Sequence, residues 1–410
     1  MRAKQFIIES LGGFKVKNNL TYLPLNQWVA QQQPQPKTQP EVDEAVGLNA
    51  PHRRVPDAEL QPYLQRVKNK DKDKGDSFTK PYIHASSLKY LDNGTEIDME
   101  SVRQIITKRP TALLKQNKKL EHSSGTGEVI FNTGLPALKG LCVDEDTGEF
   151  VLVDTCPGAG ACKTYCYVQG GFYIMFKGSW EKMSQTLNFL LNDPAGFEER
   201  MTSEIEKIRA EYEAPPAWKI KIRWHDSGDF FSPEYLDLAV RMAERFPTIL
   251  FYAHSKMSMT QTRQLPTNFI TKWSEGANPE QRQIIKIHQQ TTGKPVGKSI
   301  TVPKEMFSGM LVKDAAKQWQ WKSPEIYEAF KNSLASTYKI DPNSIITYDQ
   351  MMRIPEPEPT STQQQKQSNG EVKEVPVYAP AKWNVIVKPN SDGDNSAARR
   401  DVIGTYLLYH

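Results

Sequence analysis

Lys219-Ile220-Lys221-Ile222-Arg223-Trp224-His225-Asp226-Ser227-Gly228-Asp229-Phe230-Phe231-Ser232-Pro233 reads as a strand, a polar turn and the first residue of a helix. Apolar and charged residues alternate from Lys219 to Trp224, the period of a half-buried strand. Pro233 suits the first position of a helix, and apolar residues then recur at helical spacing to Arg245. A second strand is expected over 248–253, and further short ones over 283–287, 299–302, 345–348 and 383–387. Strands that alternate with helices imply a parallel sheet with right-handed crossovers. The expected fold class is therefore α/β, as a partial or irregular parallel (β/α) barrel. Upstream, 128–131 and 150–154 are short β-type runs. The turn chemistry of 144–148 lies between them, so a small antiparallel element is expected. Residues 180–192 and 197–212 have helical periodicity.

The strand ends carry the polar residues. His225-Asp226-Ser227-Gly228-Asp229 follows the first strand, His254-Ser255-Lys256 the second, and His288 the run at 283–287. Parallel α/β folds bind ligands beyond the C-terminal ends of their strands. His225, Asp226, His254, Lys256 and His288 are thus the expected catalytic residues on one rim.

Composition limits the class. Four cysteines in 410 residues are too few for a disulfide-built secreted scaffold, and 38% hydrophobic with 24% charged residues is a soluble globular balance. No apolar run approaches a membrane span, and residues 1–8 lack the apolar core of a signal peptide, so a cytoplasmic protein with reduced thiols is expected. The net charge of +4 is uneven, with 20 Lys/Arg against 13 Asp/Glu in residues 1–120. Residues 31–44 and 355–375 are rich in Gln and Pro and read as linkers, and 68–76 as a charged loop. The expected division is a basic N-terminal extension (1–106) and a catalytic core (107–354). A disordered linker (355–375) then leads to a C-terminal segment (376–410) that docks back on the core.

Three cysteines fall together, in Thr155-Cys156-Pro157-Gly158-Ala159-Gly160-Ala161-Cys162-Lys163-Thr164-Tyr165-Cys166. Pro157, Gly158 and Gly160 let the backbone curl, so Cys156, Cys162 and Cys166 can converge. Three thiolates with no near fourth ligand suit a catalytic metal with an open position, or a [4Fe–4S] cluster with one free iron. Cys142 sits in an apolar strand-like setting and reads as a buried, inert thiol.

The cluster resembles a lengthened radical S-adenosylmethionine signature, whose usual spacing is C-x3-C-x2-C. Ser227, Gly228 and Asp229 fall where that superfamily places a Gly-Gly-Glu turn that holds the methionine amino group, and Ser255 where it places further cofactor contacts. The resemblance implies a [4Fe–4S] cluster, S-adenosylmethionine, a reductant, and Tyr165 as a shield. A nearer resemblance is to the phage gene product 88 family. It rests on 109–120, 155–167, 223–231, 251–256 and 399–410, and implies a bacterial host cell as the setting.

Three functions compete. The first is a radical S-adenosylmethionine-like enzyme acting on an unknown substrate. The second is a metal-dependent hydrolase or nuclease that uses the strand-end histidines, with a structural zinc at the cysteines. The third is a non-catalytic nucleic-acid-binding module that uses the basic N-terminal part and 108–119. For this last segment, a solvated helix with a stripe at Ile105, Ile106, Leu113 and Leu114 is the competing expectation.

Overall fold

The computed structural model describes residues 47–63, 65–67, 82–84, 87–116, 127–164, 166, 168, 176–215, 218–389 and 393–408. The stretches 31–44 and 68–76 and the residue Tyr165 lie outside these. So does most of the basic N-terminal part.

In chain order, β1 (His52–Val55), α1 (Asp57–Tyr63), β2 (Gln65–Val67), β3 (Tyr82–His84) and α2 (Met99–Ile106) come first. Next are β4 (Glu128–Asn132), β5 (Lys139–Val143), β6 (Phe150–Asp154), α3 (Lys177–Asn192) and α4 (Pro194–Tyr212). The alternating part is β7 (Lys219–Trp224), α5 (Pro233–Arg245), β8 (Leu250–Ser255), β9 (Phe269–Ser274), α6 (Pro279–Thr292) and β10 (Lys298–Val302). After it come β11 (Leu311–Lys313), β12 (Trp319–Trp321), α7 (Pro324–Tyr338) and β13 (Ile345–Thr347). The hairpin β14 (Ser361–Lys366) and β15 (Val372–Val377) precedes β16 (Trp383–Val387) and β17 (Val402–Leu408).

Eight strands form one sheet in the order β13-β16-β17-β10-β9-β8-β7-β4, and every pairing in it is parallel. The fold is mixed α/β with an open sheet, and β13 and β4 are its edges, so no barrel closes. A second sheet, β1-β6-β5, is antiparallel. The turn at 144–148 joins β5 to β6, and β4 belongs to the large sheet instead of to this element.

Alternation explains the two faces of the large sheet. Val129, Ile220, Ile222, Trp224, Phe251 and Ala253 pack with Leu187, Leu190, Phe197, Met201, Leu236 and Leu238 of α3, α4 and α5 in the main core. On the other face, Ile130, Leu250 and Tyr252 meet Ala397 and Ala398 of the 3-10 turn before β17. Asp193 caps α4, with its Oδ1 accepting from Gly196 N at 2.8 Å, and Pro194 opens the helix. Ser232 and Pro233 do the same for α5.

Four further sequence expectations change. Residues 283–287 are helical: Asn278 caps α6, Pro279 opens it, and Gly293 ends it in the left-handed region at φ 67°. These signals outweigh the short Ile-Ile-Lys-Ile run, of which only Ile285 is buried. The strand is instead β9, just upstream. Residues 108–116 are not helical, because α2 ends at Ile106 before Pro110, and Leu113 and Leu114 are buried in the main core. The Gln-rich stretch 355–375 is not simply a linker. It contains β14 and the start of β15, joined through a tight turn with Gly370 at φ 87°, and Gln365 Nε2 donates to Leu265 O. Ser-Asn-Gly at 368–370 was the available turn signal. Finally, the boundary at 106 is crossed, since β1 pairs with β6.

The C-terminal segment is an interior strand, with β17 between β16 and β10. Arg399 anchors it by pairing with Asp401 at 2.7 Å and donating to the carbonyls of Met351, Ile354 and Pro355. No helix among the described residues is long and apolar enough to cross a membrane.

Candidate functional site

The cysteine loop leaves β6 and lies across the C-terminal ends of β7, β8 and β9. Asp229 N donates to Thr155 O (2.9 Å), Gly160 N to Gly276 O (2.8 Å), and Asn278 N to Gly158 O (2.8 Å). Asn278 Nδ2 adds a bond to Pro157 O at 3.0 Å. Glycine is required twice. A Cβ on Gly158 would stand 2.5 Å from Lys256 O, and one on Gly160 would stand 2.6 Å from Ala277 O, both backbone atoms. Gly158→Ala is therefore expected to cost about 1–3 kcal/mol, as overpacking does. Urea unfolding measures it, and an unchanged midpoint would show that the loop is not seated on Lys256.

Cys156, Cys162 and Cys166 are in no disulfide among the described residues and are half-buried. Leu138 N–H donates to Cys156 Sγ at 3.4 Å. Burial pushes the Cys156 thiol up and Asp229 adds to this, while the Leu138 bond and Lys256 oppose it. Cys166 is close enough to act on it electrostatically. Among the described residues, no three His, Cys, Asp or Glu side chains stand together as a metal-holding group. Cys142 is buried and its thiol is pushed up to about 12 by burial, with its Sγ 3.3 Å from Asn188 Oδ1.

The strand-end residues divide by role. His225 takes a left-handed φ of 62° and turns the chain sharply after β7. Its ring is buried 4.4 Å from that of Phe230, and its Nε2 bonds Tyr235 Oη at 2.9 Å. Burial, helped by Arg223, lowers its pKa to about 3, so it is a neutral core histidine. His288 is on α6, not at a strand end, and its carbonyl accepts from Thr292 Oγ1. The three histidines are not brought together.

Asp229 joins the loops. Its Oδ1 accepts from Ser255 Oγ (2.6 Å) and Phe230 N (2.8 Å), and its Oδ2 from Lys256 N (2.7 Å). Three donors already occupy this carboxylate, so an incoming ammonium would have to displace one of them. Gly228, at φ 85°, places the turn against Leu135. Ser227 is buried, and its hydroxyl makes no hydrogen bond to a described residue. Half-buried His254 lies on β8, and half-buried Lys256 after it donates through Nζ to Ser274 Oγ at 3.1 Å. Ser274, the last residue of β9, and Glu275-Gly276 after it form the third strand end at this rim.

Asp226 is buried beside residues that sequence reasoning did not single out for the site. Its Oδ2 accepts from Asn132 Nδ2 at 2.6 Å and lies 3.9 Å from Lys115 Nζ. Burial raises its pKa, against the pull of Lys115, Arg223, Asn132 and Lys182. Lys182 of α3 is lowered to about 8, first by burial and then by Lys115. A lysine on an amphipathic helix reads as solvated, so only its position in space reveals it. Within the basic segment, Arg109 pairs with Asp193 at 3.0 Å and covers the Phe189 ring at 3.9 Å.

At the N-terminal end of β7 and β8 a cleft of about 380 Å³ is lined by Lys219, Lys221, Thr248, Glu356, Tyr378 and Arg400. It lies at the end of the strands away from the cysteine loop, and its lysines are paired with Glu356.

No curated protein and no solved structure matches the chain. A family model does match, over residues 111–370, which takes in the cysteine loop and strands β4 to β10 and stops short of 399–410. The chain belongs to the gene product 88 family.

Proposed function

We propose that the chain is an iron–sulfur protein whose cluster is held by Cys156, Cys162 and Cys166, and that its substrate is handled at the C-terminal rim of β7, β8 and β9. The observation that carries this reading is the seating of the cysteine loop. Gly158 and Gly160 press its backbone against Lys256 and Ala277, which places the loop where parallel sheets bind ligands. The donor chemistry suits the group. The loop offers three thiols, and an N–H already donates to the Cys156 sulfur, a bond of the kind that tunes cluster potentials. The three sulfurs are not gathered into a ligand set among the described residues. Uptake therefore requires Cys162 and Cys166 to be drawn in towards Cys156.

A bound cluster supplies one-electron chemistry. The chain's own residues do the rest. Asp229 locks the loops after β6, β7 and β8 together. Trp224, Phe230 and Tyr235 around His225 make the floor of the rim apolar. His254, Lys256 and Asp226 are the other polar groups at these strand ends, with Lys256 held by Ser274 and Asp226 by Asn132. S-adenosylmethionine is the co-substrate to test first, with Ser227 and the turn backbone to hold it in place of the occupied Asp229. The hydrolase reading lacks a comparable observation, because His225 is packed in the core and His288 is on a helix.

Anaerobic reconstitution with iron and sulfide is expected to load about four irons per chain and give a brown protein. Cys162→Ala is expected to lose the colour and most of the iron. Equal iron in the two proteins would falsify the cluster assignment. Formation of 5′-deoxyadenosine from S-adenosylmethionine with dithionite would then separate radical chemistry from a passive cluster.

A further inference from the structure

The cleft at the N-terminal ends of β7 and β8 takes no part in the cluster chemistry. Its volume of about 380 Å³ suits a small molecule with one ring. Six residues of β7 separate it from the rim, roughly 15–20 Å at the rise of a strand, so its occupant is distinct from a rim substrate. Half-buried Trp218 and exposed Pro247 are apolar parts of its wall, and Tyr378 and Arg400 line it from the C-terminal part of the chain. Those last two lie beyond the stretch that the family model matches.

The charges at this cleft pair off, with one exception. Glu356 takes Lys219 (3.2 Å) and Lys221 (3.1 Å), and Lys221 also meets Glu128 (2.9 Å). Glu213 takes Arg209 at 3.1 Å and accepts from Thr248 Oγ1 at 3.2 Å. Arg400 meets no carboxylate among the described residues. Its guanidinium lies 4.3 Å over the Tyr378 ring, and its Nη2 donates to Thr267 O at 3.1 Å. Its Nε is buried and has no hydrogen-bond partner among the described residues. A guanidinium presents five N–H donors in a planar fork, and a described residue takes only one of them here.

The chain holds this arginine in place from both sides. Before it, buried Arg399 donates to the carbonyls of Met351, Ile354 and Pro355. After it, Asp401 O accepts from Lys382 N and Trp383 N. The Tyr378 ring backs the guanidinium itself. A fork fixed in advance, with open donors and no counter-charge, matches an oxyanion, and little entropy is lost when one docks. We propose that the cleft binds a small ligand that carries a carboxylate or a phosphate on a flat apolar body. The oxyanion meets Arg400, and the body packs against Trp218 and Pro247.

The test uses the full chain without added iron and three probes at equal ionic strength. Benzoate and phenyl phosphate carry the charge, and benzamide keeps the ring without it. Arginines are labelled with phenylglyoxal and read by peptide mass spectrometry, with exposed Arg53 as the reference. Benzoate or phenyl phosphate at about 10 mM, which fills a millimolar site to about 90%, is expected to slow labelling of Arg400 about tenfold and to leave Arg53 unchanged. Protection by benzoate alone assigns a carboxylate, by phenyl phosphate alone a phosphate, and by both a site for either oxyanion. In titration calorimetry Arg400→Gln should weaken probe binding at least about tenfold, and Arg400→Lys, which keeps the charge and loses the fork, should weaken it less. The proposal is overturned if neither anion protects Arg400, if benzamide protects it equally, or if phenylglyoxal does not reach it at all. Unchanged binding by Arg400→Gln overturns it as well. The labelling arm uses unaltered protein, so it stands even if the variants fail to fold. Neither arm involves the cysteines, so failure here leaves the cluster reading untouched.

Discussion

Asp229→Ala is expected to lower the unfolding free energy by about 3–5 kcal/mol, because it leaves three buried donors without an acceptor. Ser255 Oγ, Phe230 N and Lys256 N all end on this carboxylate at 2.6–2.8 Å. The residue is 3% exposed, so water cannot readily replace it. Asp229 N also donates to Thr155 O at the start of the cysteine loop, which ties three strand ends into one unit. Asp229→Asn keeps the shape and one acceptor oxygen, so a smaller loss is expected. Urea unfolding of the two variants decides the matter. A loss below about 0.5 kcal/mol for Asp229→Ala would mean that Asp229 does not brace the rim, and would return it to the role of a free ligand group.

The contrast between these roles marks where sequence reasoning stops. The strand, turn and helix at 219–245 were legible because the period-2 run, the turn residues and Pro233 all agree, and such consistency is what specifies a local structure. The cysteine loop was legible for a related reason, since its spacing and glycines sit directly after a strand. β9 was not, because Lys272 occupies a position in Phe269–Ser274 that alternation would make solvent-facing, yet it is buried and donates to Val402 O. A buried cation is invisible to a hydrophobic pattern. The error passed on to His288, which was assigned to a strand end that is a helix. His225 and Asp229 lie at the end of β7, but the His225 ring is packed against Phe230 and the Asp229 carboxylate is taken by three donors. Proximity to the rim can be read from topology, but whether a polar atom is already occupied depends on partners far away in the chain. Ser255 and Lys256, for instance, come from the strand after Asp229's own. Lys115 and Asp226 meet for the same kind of reason, since one lies in an irregular segment before β4 and the other after β7.

Lys221→Ala is the second large effect. Lys221 occupies the face of β7 opposite Ile220 and Ile222. It is 3% exposed, with its Nζ 2.9 Å from Glu128 Oε2 and 3.1 Å from Glu356 Oε1. Removing one partner of a buried ion pair leaves an uncompensated charge and costs about 3–5 kcal/mol. The variant also predicts a dependence on pH. Burial alone would raise the pKa of Glu356, but Lys221 and Lys219 outweigh it and hold the carboxyl below its ordinary 4.5. A carboxyl depressed in the folded state stabilises the protein above the unfolded pKa, and that contribution is lost as pH falls through the folded value. Without Lys221 the burial effect gains on the single remaining lysine, and protonation of Glu356 relieves the uncompensated charge. The stability gap between the two proteins is therefore expected to be widest near neutral pH and to shrink as pH drops below 4.5. Urea unfolding at neutral and acid pH measures it. A gap of the same size at both would show that the loss comes from the missing side-chain packing of Lys221 and not from its charge.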